Sequence, residues 1–299
     1  MSSWSTRTRK RLSRLLLIVF TRSLSFAARL LPYRAAVAAG GLLGSLVYFL
    51  LPRERKRTLS HLAIAYPDQD RQWLIRTARG TFVHLGKSLL EAVSMDKQRL
   101  GVQVSFQGFD NLTQAMKQGK GVVYFTGHIG NWELMAGAVA QTYPVSVVAA
   151  PIEPAPLNNR IVGLRASLGV RTILRGQPGA AKELIRVFRE NRILGILIDQ
   201  DTDVEGAFVD FMGRPAWTPT AAAQMAIKFD APVIFGYARR EADGRHTVTL
   251  EGPLKLIRSG NDESDVKANT ALFTKMIEDV VRRNPEQWVW MHRRWRRQS

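Results

Sequence analysis

At 299 residues the chain is long enough to bury a large core, as one big domain or two small ones. Hydrophobic residues make up 45% and charged residues 23%, as in a globular protein, and the absence of cysteine excludes disulfides, thiolate metal ligands and a cysteine nucleophile. The formal net charge of +18 is concentrated at the two ends: residues 1–60 hold twelve Lys/Arg against Glu54 alone, and residues 282–299 hold six Arg against Glu286. Two basic ends suit an anionic membrane surface better than a nucleic acid, whose binders more often spread their charge over the fold.

In chain order, residues 12–31 are expected to form a helix with Arg14, Arg22 and Arg29 on one face and Leu, Ile, Val and Phe on the other, an interfacial pattern. Residues 35–51 are seventeen uncharged residues, the low edge of membrane-spanning length, in which Gly40 and Gly44 permit close helix packing in lipid or in protein. A buried core helix is the alternative for this stretch. A cleaved signal peptide fits poorly, because arginines interrupt the apolar region. Basic clusters flank it on both sides, which suits an element with both ends in the cytoplasm. The expected layout is a membrane-associating helical region over 1–55 and a second domain over 56–299.

Beyond Pro67-Asp68 an amphipathic helix is expected over 69–93. Strand-like runs follow at 102–106, 121–126, 145–149, 170–174, 193–198, 232–238 and 246–250, with helical patterns between them and at 264–283. Alternating strands and helices indicate an α/β fold, a mixed sheet flanked by helices. Asp243-Gly244 marks a hairpin turn, so the far edge of the sheet is expected to be antiparallel.

The sequence breaks most abruptly at "GVVYFTGHIGNWELMAGAVA", residues 121–140. A β-branched and aromatic strand ends at Gly127, Gly130 allows a sharp turn, and Asn131 is a natural N-cap for a helix starting at Trp132. His128 then projects from the C-terminal end of a strand, where open α/β sheets place their ligands. Glu133, in the helix's first turn, is expected to meet His128 across the reversal and orient it as a general base. Each residue alone has an ordinary structural explanation; the combination favours function.

This H-x-x-x-x-E segment resembles the glycerolipid-type acyltransferases. In its Gly-His-x-Gly-Asn-Trp-Glu form it is similar to the bacterial lipid A secondary acyltransferases. The resemblance continues through "LIDQDTDVEGAFVDFMGRPAWTPTAAAQMA" (197–226), "NPEQWVWMHRRWRR" (284–297) and residues 31–67, with His61, Trp217 and Pro219 differing from the family's usual residues. It implies transfer of a fatty acyl group from acyl carrier protein to a hydroxyl of a lipid A precursor, on the cytoplasmic side of the inner membrane.

In that reaction His128 takes the hydroxyl proton and Glu133 stabilises the imidazolium. Without cysteine or a G-x-S-x-G element, direct transfer is expected. Arg165 stands where the resemblance suggests a functional arginine, for the oxyanion or for a lipid phosphate, with a surface salt bridge as the alternative. Asn131, Asp199, Gln200 and Asp201 are candidate substrate-binding residues, though Asn131 also reads as a cap and the acidic pair as a strand end. Arg293 and Arg294, among Trp288, Trp290 and Trp295, read either as an acceptor-phosphate or membrane surface or as a solvated tail beside core-packed tryptophans.

No metal and no cofactor is expected, since the histidines at 61, 84, 128, 246 and 292 lack ligand spacing. Two other readings stay open. One is an acyltransferase for another glycolipid, of the phosphatidylinositol-mannoside type, using acyl-CoA. The other is a non-enzymatic basic protein of membrane or nucleic-acid surfaces, which leaves the His-Glu turn unexplained.

Overall fold

The computed structural model describes residues 30–297 together with residues 23 and 26–28. The interfacial helix expected over 12–31 therefore lies largely outside the described residues. In chain order the elements are α1 (Tyr33–Leu50), α2 (Pro52–Ala65), α3 (Arg71–Ser94), α4 (Lys97–Gln103), β1 (Val104–Gln107), α5 (Phe109–Lys117), β2 (Val122–Thr126), α6 (Trp132–Val139) and β3 (Val145–Ala149). They continue as α7 (Ala155–Ser167), β4 (Val170–Leu174), α8 (Ala180–Arg189), β5 (Ile193–Leu197), β6 (Gly206–Phe211), β7 (Arg214–Pro219), α9 (Ala221–Lys228), β8 (Val233–Arg240), β9 (His246–Glu251) and α10 (Asp262–Arg283).

Seven strands form one sheet in the order β1-β9-β8-β2-β5-β3-β4. Every neighbouring pair is parallel except β8 and β9, which are joined through the Asp243-Gly244 turn. The antiparallel strand is thus present, but β1 adds beyond it, parallel to β9, and forms the edge. All five residues of β2 are buried, as expected for a central strand covered on both faces. Val123 and Phe125 point to one face, where Phe125 stacks on Phe273 of α10 with centroids 4.2 Å apart. Val122 and Tyr124 point to the other, against Leu112 and Met116 of α5 and Met135 and Val139 of α6.

Four elements escaped the periodicity of the sequence, namely α2, the short α4 and the strands β6 and β7. Residues 52–65 form α2, which Pro52 opens and which buries Thr58, Leu62 and Ala65; the expected boundary near residue 55 falls inside it. Residues 206–219 form the β6–β7 hairpin, turning at Met212 (φ 59°) and Gly213 (φ 75°). Two successive positive φ angles match a tight hairpin turn, but Pro215 and Pro219 mask the strand pattern.

Helix α1 is apolar and long enough to cross a membrane by length and composition. It lies along α3, with Ala36, Gly40, Gly41, Gly44 and Tyr48 buried. The contact is backbone to backbone: a Cβ on Gly44 would sit 2.1 Å from the Phe82 carbonyl oxygen, and one on Gly40 2.4 Å from that of Gly86. The remaining face carries Leu42 (74% exposed), Leu46, Phe49 and Leu50, at the spacing of a single helical stripe.

Gly44→Val is expected to force α1 away from α3, with a loss of at least the 1–3 kcal/mol typical of overpacking, about the scale of one badly seated side chain. Thermal unfolding and limited proteolysis between residues 50 and 71 check this; an unchanged melting curve and digest would contradict it.

Candidate active site

The site grows out of strand register. β2 and β5 are parallel neighbours, and Thr126 pairs with Leu197 at their C-terminal ends. Two residues further along each strand stand His128 and Asp199. The pairing therefore brings together two side chains that are 71 positions apart in the chain.

Asp199 is almost wholly buried, and its carboxylate is saturated by donors. Oδ1 accepts from His128 Nδ1 at 2.7 Å. Oδ2 accepts from the His128 backbone N–H at 2.6 Å and from the Trp288 indole N–H at 2.7 Å. Burial alone would push this carboxyl up; the imidazole, the His128 backbone N–H and the indole outweigh burial and hold it down at about 2. An ionised carboxylate only accepts, so Nδ1 carries the imidazole proton and the Nε2 lone pair is left free. The His128 side chain is partly exposed, packs edge-on to Trp132 with centroids 4.9 Å apart, and has no other hydrogen-bond partner among the described residues.

Glu133, expected to orient His128, is bonded elsewhere. Its two carboxylate oxygens accept from Arg165 Nε at 2.8 Å and Nη2 at 2.5 Å, a bidentate pair between the first turn of α6 and the last turn of α7. Burial works against the guanidinium's charge, but the Glu133 carboxylate more than offsets it and raises the Arg165 pKa. His128, Glu133 and Arg165 still line one cavity. The carboxylate bonded to Nδ1 is that of Asp199, because the strand end fixes it within reach while α6 turns Glu133 towards α7.

The loop between β2 and α6 is clamped from behind. Gly130 takes φ 62°, and a Cβ there would lie 1.9 Å from the Ala238 carbonyl oxygen. Its N–H donates to the Gln287 carbonyl at 2.7 Å, and the Gln287 side chain ties itself to the Arg240 backbone at both ends. Asn131 caps α6 by accepting from the Leu134 N–H at 3.2 Å, while its Nδ2 donates to Glu91 Oε2 at 2.7 Å. Glu91 is itself fully buried and takes two more bonds from Arg240, bonds from His246 at 3.0 Å, and one from the Tyr33 hydroxyl. Burial opposes its ionisation, but His246 and Arg240 keep the carboxyl well below the usual range.

The cavity has a volume of about 560 Å³, within the usual size of small-molecule sites. Its polar lining includes His128, Glu133, Arg165, Arg175, Gln200 and Glu205, and its apolar lining includes Tyr124, Met135, Val139, Val145, Val147 and Ile193, between α6 and the sheet. Gln200 thus stands where a substrate would contact it. The other five expected ligands, Asn131, Asp199, Asp201, Arg293 and Arg294, do not line it, and the oxygens of Asp199 are filled by His128 and Trp288. The side-chain bonds of Asn131 are taken inside the fold, to the α6 cap, Ser88 and Glu91. Asp201 is buried and paired with Arg296 and Arg297. Arg294 is completely buried, donating to the Trp217 carbonyl and the Thr218 hydroxyl, and burial pulls its pKa down to about 10. Arg293 is exposed beside it and does not line the cavity.

Trp288 and Trp290 are inside the core, and Trp295 packs on Phe211 and His61. The tryptophans of the C-terminal segment therefore build the interior, and Trp288 in addition holds Asp199. Trp288 stands in a segment the sequence singles out, but nothing local marks it as a donor to Asp199, and nothing marks Glu91 at all.

The family model for the bacterial lipid A biosynthesis acyltransferases matches residues 5–297. A phosphatidylinositol mannoside acyltransferase of Mycolicibacterium smegmatis is 26% identical over 247 residues, 82% of this chain and 79% of the relative. A lipid A biosynthesis palmitoleoyltransferase of Escherichia coli is 24% identical over 281 residues, 89% of this chain and 86% of the relative. The lipid A biosynthesis lauroyltransferase of the same organism is 22% identical over 271 residues, 89% and 87% of the two chains. With nearly its whole length matched by the family model, this chain belongs to the bacterial lipid A biosynthesis acyltransferase family and is an acyltransferase.

Proposed function

We propose that the enzyme moves a fatty acyl chain from acyl carrier protein to a hydroxyl of a lipid A precursor at the cytoplasmic face of the inner membrane, with His128 as general base and Asp199 as its orienting partner. The observation that carries this reading is His128, bonded to Asp199, in the wall of a cavity lined largely by apolar side chains. A cavity lined by Val139, Val145, Val147 and Ile193 suits an alkyl chain, and the free Nε2 suits a hydroxyl that must lose its proton.

As the hydroxyl oxygen attacks the thioester carbonyl, Nε2 takes its proton and the carbonyl oxygen becomes an oxyanion. Collapse of the tetrahedral intermediate breaks the carbon–sulfur bond, and the departing thiolate takes the proton from the imidazolium. Asp199 keeps Nδ1 protonated and stabilises the imidazolium between these steps. Glu133 holds Arg165 rather than His128, leaving the guanidinium donors that Glu133 does not use for the oxyanion or for a substrate phosphate.

A second reading is favoured by the relatives of 26% and 27% identity, which are phosphatidylinositol mannoside acyltransferases. In it the same residues act on an acyl-CoA donor and a different glycolipid. Purified enzyme assayed with acyl carrier protein and CoA thioesters, each against a lipid A precursor and a phosphatidylinositol mannoside, separates the two. Transfer in none of the four combinations would overturn both.

The bare stripe of Leu42, Leu46, Phe49 and Leu50 supports attachment of α1 to a bilayer, with its glycine face kept on α3. Changing Leu42, Leu46 and Phe49 together to Ser leaves that glycine face intact. The triple variant is expected to float poorly with anionic liposomes while melting like wild type; full flotation would dissociate α1 from the membrane.

Asp199→Asn is expected to lower kcat by about 10⁴-fold, the scale of the corresponding change in the serine-protease triad, because an amide can hold the wrong tautomer. Glu133→Gln is expected to cost less, since Arg165 keeps one carbonyl acceptor. If Glu133→Gln were the dead variant and Asp199→Asn an active one of normal stability, the orienting role would pass back to Glu133. Ala136 lines the cavity from α6, so Ala136→Phe is expected to shift donor preference towards shorter acyl chains. An unchanged chain-length profile by mass spectrometry would remove the alkyl chain from this cavity.

A further inference from the structure

The cavity wall contains a second guanidinium that the chemistry above does not use. Arg175 follows β4, the sheet edge, and its backbone N–H extends the β3–β4 ladder by donating to the Ala149 carbonyl at 2.9 Å. Gly176 (φ 78°) then turns the chain away. The side chain is half-buried and lines the same cavity as His128.

Its charge is unmatched. Arg165, the other arginine of the lining, is paired with Glu133, and Arg171, four residues earlier on β4, with Glu183. Arg175 has no ion pair and no side-chain hydrogen bond among the described residues. The remaining acid of the lining, Glu205, is solvent-exposed and bonded to Gln224. A half-buried guanidinium without a counter-charge carries a desolvation cost that a bound anion would relieve. Its planar fork of donors matches phosphate oxygens in two-point contact.

The sheet order supplies the distance. From β2, which leads into His128, the order runs through β5 and β3 to β4, three strand spacings or about 14 Å along the strands' C-terminal ends. We propose that Arg175 docks a phosphate group of a substrate whose reacting end lies at His128, an inference that rests on the acyl-transfer reading for the identity of that substrate. Acyl carrier protein and CoA both present the acyl group on 4′-phosphopantetheine, so one source is the phosphate at the far end of the pantetheine arm, whichever donor is used. The other source is a sugar phosphate of the acceptor. The strip between the two points is formed in part by Leu197, Ala149 and Ala150, which offer no competing charge.

The test uses the full chain and ligands that do not react. S-dodecyl-4′-phosphopantetheine is compared with S-dodecyl-pantetheine, and a phosphorylated glucosamine disaccharide lipid with its phosphatase-treated form, by isothermal titration. Arg175→Ala is expected to weaken the phosphorylated member of one pair by about 10–100-fold, the worth of a hydrogen bond to a charged group, and to leave its phosphate-free counterpart unchanged. Arg175→Lys is expected to recover part of the loss, and Arg171→Ala, the surface-charge control, to lose nothing. A loss confined to the pantetheine pair assigns the donor; one confined to the disaccharide pair assigns the acceptor. If Arg175→Ala binds both members of both pairs as wild type does, the phosphate site is wrong. Because binding is read without turnover, an enzyme that shows this Arg175 dependence yet transfers no acyl group would sink the acyl-transfer reading and leave the phosphate site standing.

Discussion

Asp199 is the group on which the arrangement of the site depends. A carboxylate with almost no exposure is sustained only if its oxygens are filled with donors. Here they come from three directions: the His128 backbone, the His128 ring and the Trp288 indole. The first two bonds tie the loop after β2 to the loop after β5, and the third ties both to the end of the chain. Loss of any one donor would leave part of a buried charge unpaired, which makes the geometry of His128 a property of the whole assembly. The imidazole is held at both its backbone and its Nδ1, so only Nε2 is left to meet a substrate.

The C-terminal segment explains how that assembly closes. Gln287 receives the Gly130 N–H on its carbonyl and grips the Arg240 backbone with its amide, while its neighbour Trp288 reaches Asp199 and packs on Phe211. Arg294 then plugs the β7 end through the Trp217 carbonyl and Thr218 hydroxyl. Two of the donors of this buried guanidinium are bonded, and it lies over the Phe211 ring, 4.9 Å from the centroid, while its Nε has no hydrogen-bond partner among the described residues. The basic end of the chain therefore divides into an interior half that builds the site and a surface half, Arg296 and Arg297, that is paired with Asp201.

How much of this was legible follows from the range of each interaction. The strands of the seven-stranded sheet were readable because β-branched runs are a local signal, and the Asn131 cap because capping spans three residues. Glu133 misled for the same reason: it is close to His128 in sequence and sits in a first helical turn, so a local reading pairs the two. Its actual partner, Arg165, is 32 residues away and Asp199 is 71 residues from His128, distances bridged only by strand order. Asp199 was picked out as a strand-end acid, but its role depends on β5 lying next to β2, and hydrophobic periodicity does not carry strand order. The β6–β7 hairpin was hidden by its prolines, and Arg294 by its charge, which ordinarily marks a surface.

Glu91 shows the same principle one layer further back. Its carboxylate joins α3 to Arg240 and His246 of the sheet, to Asn131 at the start of α6 and to Tyr33 at the start of α1. A buried ion pair of this kind adds little net stability over an apolar core of the same shape, because desolvation consumes most of the attraction. What it does supply is position. An apolar side chain at residue 91 would pack among these groups without fixing their angles, whereas a carboxylate with directed donors admits one arrangement of all four. One of those donors begins the helix whose outer stripe is bare and apolar, and another caps the helix that carries Glu133. The start of α1, already packed on α3 through its glycines, and the start of α6 are thereby tied to one carboxylate, so the helix with the bare apolar stripe and the wall of the cavity are joined through Glu91.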